Sequence, residues 1–186
     1  MQRQANLQVH AGGRTALGMQ GQAHYLELDA KAAQLFAPMK TNLPSWFIKH
    51  DWGLKLQLHH TSFLPPDIGL VDLEDRLLTV KVSGPARAIM ECLYLAPDHF
   101  ELVEAYQVME GLATLRPPTV QNLLEQCQSV KVKRLFLFMA EKTGHAWFKH
   151  LDVSKVDFGR GKRSLAKGGV FIPKYQITVP KELANL

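Results

Sequence analysis

Ser129-Val130-Lys131-Val132-Lys133-Arg134-Leu135-Phe136-Leu137-Phe138-Met139-Ala140-Glu141-Lys142-Thr143-Gly144 is the stretch that decides the fold. Val132, Leu135, Phe136, Met139 and Ala140 recur at helical spacing and form one apolar stripe, while Lys131, Arg134, Glu141 and Lys142 lie away from it. Ser129 opens the helix and Gly144 ends it. Phe138 falls on the wrong side of the stripe, so either a second neighbour such as the C-terminal tail buries it or it lies at an interface.

Upstream the same period continues. A helix following Pro117-Pro118 carries Val120, Leu123, Leu124 and Cys127 at i, i+3, i+4 and i+7. Before it, Asp98 with Glu101 three residues on reads as a capping box, opening a helix that buries Leu102, Ala105, Tyr106 and Met109 and stops near Gly111. Still earlier, Ser83 or Gly84 serves as N-cap with Pro85 in the first turn, and Ala86, Ile89, Met90 and Leu93 share a face. That makes a bundle of about four helices.

On either side of the bundle the pattern changes. Leu54, Leu56 and Leu58 alternate with polar residues, as do Leu78, Val80 and Val82, which marks two half-buried strands separated by the Leu64-Pro65-Pro66-Asp67 turn. Nearer the N-terminus, Gly12-Gly13 precedes a short helix over 14–19, and His24-Tyr25-Leu26-Glu27-Leu28 is a further strand. After the bundle, Asp157-Phe158-Gly159-Arg160-Gly161-Lys162-Arg163 forms a glycine-flanked basic turn, and Tyr175, Ile177 and Val179 alternate in a closing strand ended by Pro180. The fold class is therefore α+β, a mixed α/β arrangement of N-terminal strands and short helices packed on the helical bundle, closed by the basic turn and final strand. Residues 1–82 are the mixed strand and turn region and 83–186 the helical region with its basic strand module. Together they suit one compact domain over 1–186.

The charge is unevenly placed. Residues 1–128 carry 10 Lys and Arg against 13 Asp and Glu, whereas residues 129–186 carry 12 against 4, a local net charge of +8 within a chain of +5. Such asymmetry points to an anionic macromolecule as partner. Lys131, Lys133 and Arg134 stand at a helix start, where cations oppose the helix dipole, and the glycines around Arg160, Lys162 and Arg163 let backbone approach an anion. With Lys167 and Lys174 they make the candidate partner surface, against the alternative of an ordinary solvated charged face. No run of about 18 apolar residues offers a membrane span and no signal-peptide pattern opens the chain, so the expected address is the cytoplasm.

Catalytic patterns are weaker. Cys92 and Cys127 both fall on core stripes, and the adjacent His59 and His60 of one strand face opposite ways, so no metal or cofactor is expected. Gly12-Gly13-Arg14 before a helix reads as a tight turn rather than a phosphate cradle. Asp72, Glu74, Asp75, Glu141 and Lys142 supply the residue types of a nuclease, but nothing in the sequence makes them converge.

Five segments in order, His10–Leu17, Val82–Ala88, Ser129–Leu137, Gly159–Arg163 and Lys174–Pro180, resemble the AbiEi antitoxins of bacterial type IV toxin–antitoxin systems. The resemblance implies an N-terminal winged helix-turn-helix that represses its own operon, a C-terminal α/β region that counters a toxin similar to a nucleotidyltransferase, and a role in phage abortive infection. This chain starts just before the Gly12-Gly13 segment, and we expect it to lack the winged helix. The expected function is thus a non-catalytic antitoxin and transcriptional regulator, with a nucleotidyltransferase-type toxin and possible DNA phosphates as partners and no small-molecule substrate. The rival readings are a non-specific nucleic-acid-binding module and a degenerate nuclease-like enzyme.

Overall fold

The computed structural model describes residues 7–21, 32–75 and 78–186. Its first half is a five-stranded sheet built from β1 (His10–Ala11), β2 (Ala32–Ala37), β3 (Lys55–His60), β4 (Leu70–Asp75) and β5 (Leu78–Ser83), in the order β3-β2-β1-β5-β4. β2 runs parallel to β3 and β1 parallel to β5, while the β1–β2 and β4–β5 pairs are antiparallel. α1 (Gly13–Met19) and α2 (Ser45–Lys49) complete this half. The strands expected over 54–58 and 78–82 and the helix over 14–19 are present, whereas the strand expected over 24–28 lies outside the described residues.

β5 runs directly into the helices α3 (Pro85–Leu95), α4 (Leu102–Gly111), α5 (Pro117–Gln126) and α6 (Val130–Thr143). Gly84 is the N-cap of α3, and α6 is capped by Ser129, whose hydroxyl accepts from Val132 N at 3.4 Å, and closed by Gly144 at φ 68°. α4 starts later than the Asp98 capping box predicts, because Phe100 turns into the core and Glu101 takes the N-cap position without a side-chain bond. Beyond α6, the 3-10 turn 146–150 is fastened by Trp147, whose Nε1 donates to Leu112 O. A small sheet of β6 (Arg163–Ser164), β7 (Val170–Ile172) and β8 (Ile177–Val179), in the order β6-β8-β7, and α7 (Lys181–Asn185) end the chain. This is the mixed α+β class that the alternating and helical periods imply. One contiguous apolar cluster runs from Ala16 through all four bundle helices to Leu183. Among the described residues no helix is long and apolar enough to cross a membrane.

α3 is the axis of that cluster. Nine of its residues are buried, and they include Arg87 and Glu91 as well as the apolar face. Glu91 is fully buried, and its carboxylate accepts from His10 Nε2, Gly13 N, Ser83 Oγ and Arg87 Nε at 2.7–2.9 Å. Burial pushes the carboxyl pKa up, but these donors, His10 and Arg87 foremost, hold it below the usual Glu value. Arg87 in turn donates from Nη1 to Pro65 O and Ile68 O, which ties the Leu64–Asp67 turn to the same site. Gly12 is dictated by this packing, since a Cβ there would sit 2.2 Å from Glu91 Oε2 and 2.5 Å from Phe36. The Gly13 amide that a bound phosphate would use at the start of α1 therefore serves the protein's own carboxylate.

Glu91→Ala leaves Arg87 and the Gly13 amide buried without their acceptor and should cost about 3–5 kcal/mol in urea unfolding. Because the folded pKa is depressed, the contribution is present above the ordinary Glu value of about 4.3 and is lost as pH falls below it. The stability difference between the parent and Glu91→Gln should accordingly shrink on acidification.

Candidate functional site

The basic C-terminal module is where the sequence placed its candidate residues, and the structure divides them into two groups. α6 lies beneath the tail, and the tail covers the side of the helix opposite its apolar stripe. Phe138 is 8% exposed and meets Tyr175 edge-on at 6.2 Å, so it is the tail that buries it. The same cover reaches Arg134, which is only 2% exposed. Its guanidinium donates to the carbonyls of Phe158, Gly159, Gly161 and Gln176 at 2.6–3.2 Å. Burial, with Arg163 nearby, lowers its pKa. The expected place of Arg134 on the partner surface is thus corrected: it is an internal clamp, because five guanidinium N–H groups in a fixed fork match a loop that turns its carbonyls inward.

Three more of the eight cations are committed internally or enclosed. Lys131 Nζ donates to Tyr94 O and Ala96 O at 2.7 and 2.5 Å, placing a cation at the C-terminal end of α3, where the helix dipole favours one. Burial lowers its pKa as well, partly offset by Asp98. That role answers why a cation is tolerated at the start of α6. Lys133 is buried at 5% exposure. Lys174 pairs with Glu141, which also accepts from Tyr175 Oη at 2.9 Å. The Lys174 hydrogen bond, helped by Tyr175 and opposed by burial, lowers the Glu141 pKa, and burial together with Glu141 raises that of the Tyr175 phenol.

Arg160, Lys162, Arg163 and Lys167 form the second group, all exposed along the turn and β6. Among the described residues none of the four joins an ion pair. Lys162 Nζ lies 5.0 Å from the centroid of the Phe171 ring, and Phe171 and Val170 are themselves partly exposed beside it on β7. The sequence reading did not single out these two apolar residues, although a Val-Phe pair after Gly168-Gly169 is a visible strand signal. Gly159 fixes the turn, with φ +60° and a Cβ position 2.6 Å from Val130 Cγ2. The turn is therefore pressed against the first residue of α6, and its charged residues are exposed.

The carboxylates of the nuclease reading do not meet. Asp72 and Glu74 lie on β4 at the edge of the large sheet, Asp72 in register with and 3.7 Å from Lys81, whereas Glu141 is on α6 with Lys174 and Tyr175. Cys92 and Cys127 are buried free thiols whose pKa values burial raises, so neither is a ready nucleophile.

A family model described as transcriptional regulator, AbiEi antitoxin, type IV toxin–antitoxin system matches residues 30–180. The chain belongs to the AbiEi antitoxin family. A second model, the N-terminal domain of AbiEi antitoxin regulators, matches residues 1–28, so sequence of that domain is represented in this AbiEi chain where none was expected. The fold is similar to the crystal structure of the RV2827C protein from Mycobacterium tuberculosis, with a TM-score of 0.63 at 15% identity over 94% of this chain. The chain spans 63% of the length of that protein. No curated protein matches the sequence.

Arg134→Ala should strand four inward carbonyls and cost at least about 3 kcal/mol, with amide-exchange protection lost first in β6 and β8. Arg134→Lys, which keeps the charge but not the fork, should recover only part of that protection.

Proposed function

We propose that this chain acts as the antitoxin and regulator of a type IV toxin–antitoxin pair, countering a nucleotidyltransferase-type toxin, and that Arg160, Lys162, Arg163 and Lys167 are its anion-binding surface. The observation that carries the reading is the family match over residues 30–180. The single apolar cluster running from α1 to α7 supports treating residues 1–186 as one antitoxin domain. Lys131, Lys133, Arg134 and Lys174 enter the proposal as positioning residues, since each is buried or bonded within the protein.

The four exposed cations favour contact with phosphates. Contacts of this type bind nucleic acid without reading its sequence, and each releases counterions. Co-expression tests the antitoxin role: the chain should restore growth to cells expressing the toxin encoded beside it, and failure to do so removes the reading. Duplex DNA tests the surface. The combined replacement of Arg160, Lys162 and Arg163 by Ala should lower affinity similarly across sequences and reduce the slope of log K against log salt by up to about 2.7, at about 0.9 per phosphate contact.

A further inference from the structure

We infer that the crossover between β2 and β3 is a second nucleic-acid site, a stacking platform for the bases of an unpaired strand. Parallel strands require a crossover connection, and its helix ordinarily covers the sheet with an apolar face. Here α2 buries none of its residues. Trp46 is 59% exposed and Trp52 40%, and Met39, Ile48 and Leu54 of the same crossover are exposed as well. The core makes no demand that explains these side chains.

Their arrangement is ordered. Trp46 meets Phe47 edge-on at 5.8 Å, Phe47 meets Trp52 at 4.9 Å, and Trp52 meets His50 at 4.4 Å, a continuous row of four rings. Trp52 Nε1 donates to Phe47 O at 2.9 Å, and Asp51 Oδ1 accepts from Gly53 N, so the turn that carries the row is held by its own polar groups. Aromatic rings fixed in this way lose little freedom when a base stacks on them.

The charge of the segment that carries the row selects the partner. Residues 38–60 contain Lys40, Lys49 and Lys55, and their one acid is Asp51, already engaged in the turn. All three lysines are exposed. This lies within the part of the chain that is otherwise acidic, and the residues are distinct from the C-terminal cations. Protein–protein interfaces are enriched in Trp and Met but depleted in Lys. Aromatic rings interleaved with cations are the composition of single-strand binders, where bases stack on the rings and phosphates lie along the charges. Duplex DNA keeps its base faces stacked internally, so the platform discriminates unpaired strands from paired ones.

The test uses the full chain and a fluorescein-free oligothymidylate of about twelve nucleotides, a length within the usual range of single-strand sites. At low salt the oligonucleotide should quench the fluorescence of Trp46 and Trp52, leaving buried Trp147 as background, and an equal-length duplex should quench far less. Trp46→Ala should weaken binding about tenfold or more, and Trp46→Ala with Trp52→Ala further still. Lys49→Glu with Lys55→Glu should reduce the salt slope by about 1.4, at about 0.7 per contact on a single strand. Replacing Arg160, Lys162 and Arg163 should leave the quenching in place, which separates this site from the proposed duplex surface. The proposal is overturned if Trp46→Ala, folded by circular dichroism, binds the oligonucleotide as tightly as the parent, or if quenching is absent at low salt. It is equally overturned if the patch proves to join two copies of the chain, with Trp46→Ala converting a dimer to a monomer and no oligonucleotide bound.

Discussion

The buried carboxylate of Glu91 is the constraint on which the N-terminal half depends. An ionised group taken wholly out of water is tolerated only when donors replace the lost hydration, and here the donors come from β1, the start of α1, the end of β5 and α3 itself. Each of those elements is thereby placed to within a hydrogen-bond length. β1 is two residues long and would not hold a place at the centre of a sheet by its ladder bonds alone; His10 on the carboxylate fixes it between β2 and β5. The Gly12-Gly13 pair, the Ser83 hydroxyl and Arg87 are consequences of the same charge.

The C-terminal half is organised around the opposite charge. Arg134 gathers carbonyls from three positions in the 158–161 turn and from the residue before β8, so one guanidinium joins the Phe138–Tyr175 contact and the Glu141 bonds in docking the small sheet on α6. This separates two tasks that a charge count merges. Buried cations shape the tail, and the exposed ones present charge outward. The twelve Lys and Arg of residues 129–186 include ones that satisfy carbonyls, as Lys131 does at the end of α3, and one, Lys174, that pairs with Glu141.

The bundle was legible because an apolar stripe needs only one sequence and a 3.6 period to be seen. α5 and α6 start and stop where Pro117, Ser129 and Gly144 say they should. β2 and β4 were not legible: Ala32-Ala33-Gln34-Leu35-Phe36-Ala37 has little β-branched content, and β4 is an edge strand whose Asp72 and Glu74 obscure the inward Leu73. Pro180 was read only as the end of a strand, although it also caps α7 and lets Leu183 reach the core. The candidate site was half legible for a related reason. Helical angle tells which residues leave the apolar stripe, but not whether another segment folds over them, and the tail that buries Phe138 also buries Arg134.

Gly159 carries a consequence for how the basic turn will behave under selection. Its missing side chain is what lets the turn lie on Val130, although the residue itself bears no charge. A side chain there would have to displace Val130 or the turn itself, and so would disturb the proposed anion surface while leaving Arg160, Lys162, Arg163 and Lys167 in place in the sequence. In a screen for lost regulation such an allele would be indistinguishable from the loss of a contact residue. Mapping by phenotype would then trace the hinge of the surface as faithfully as the surface itself.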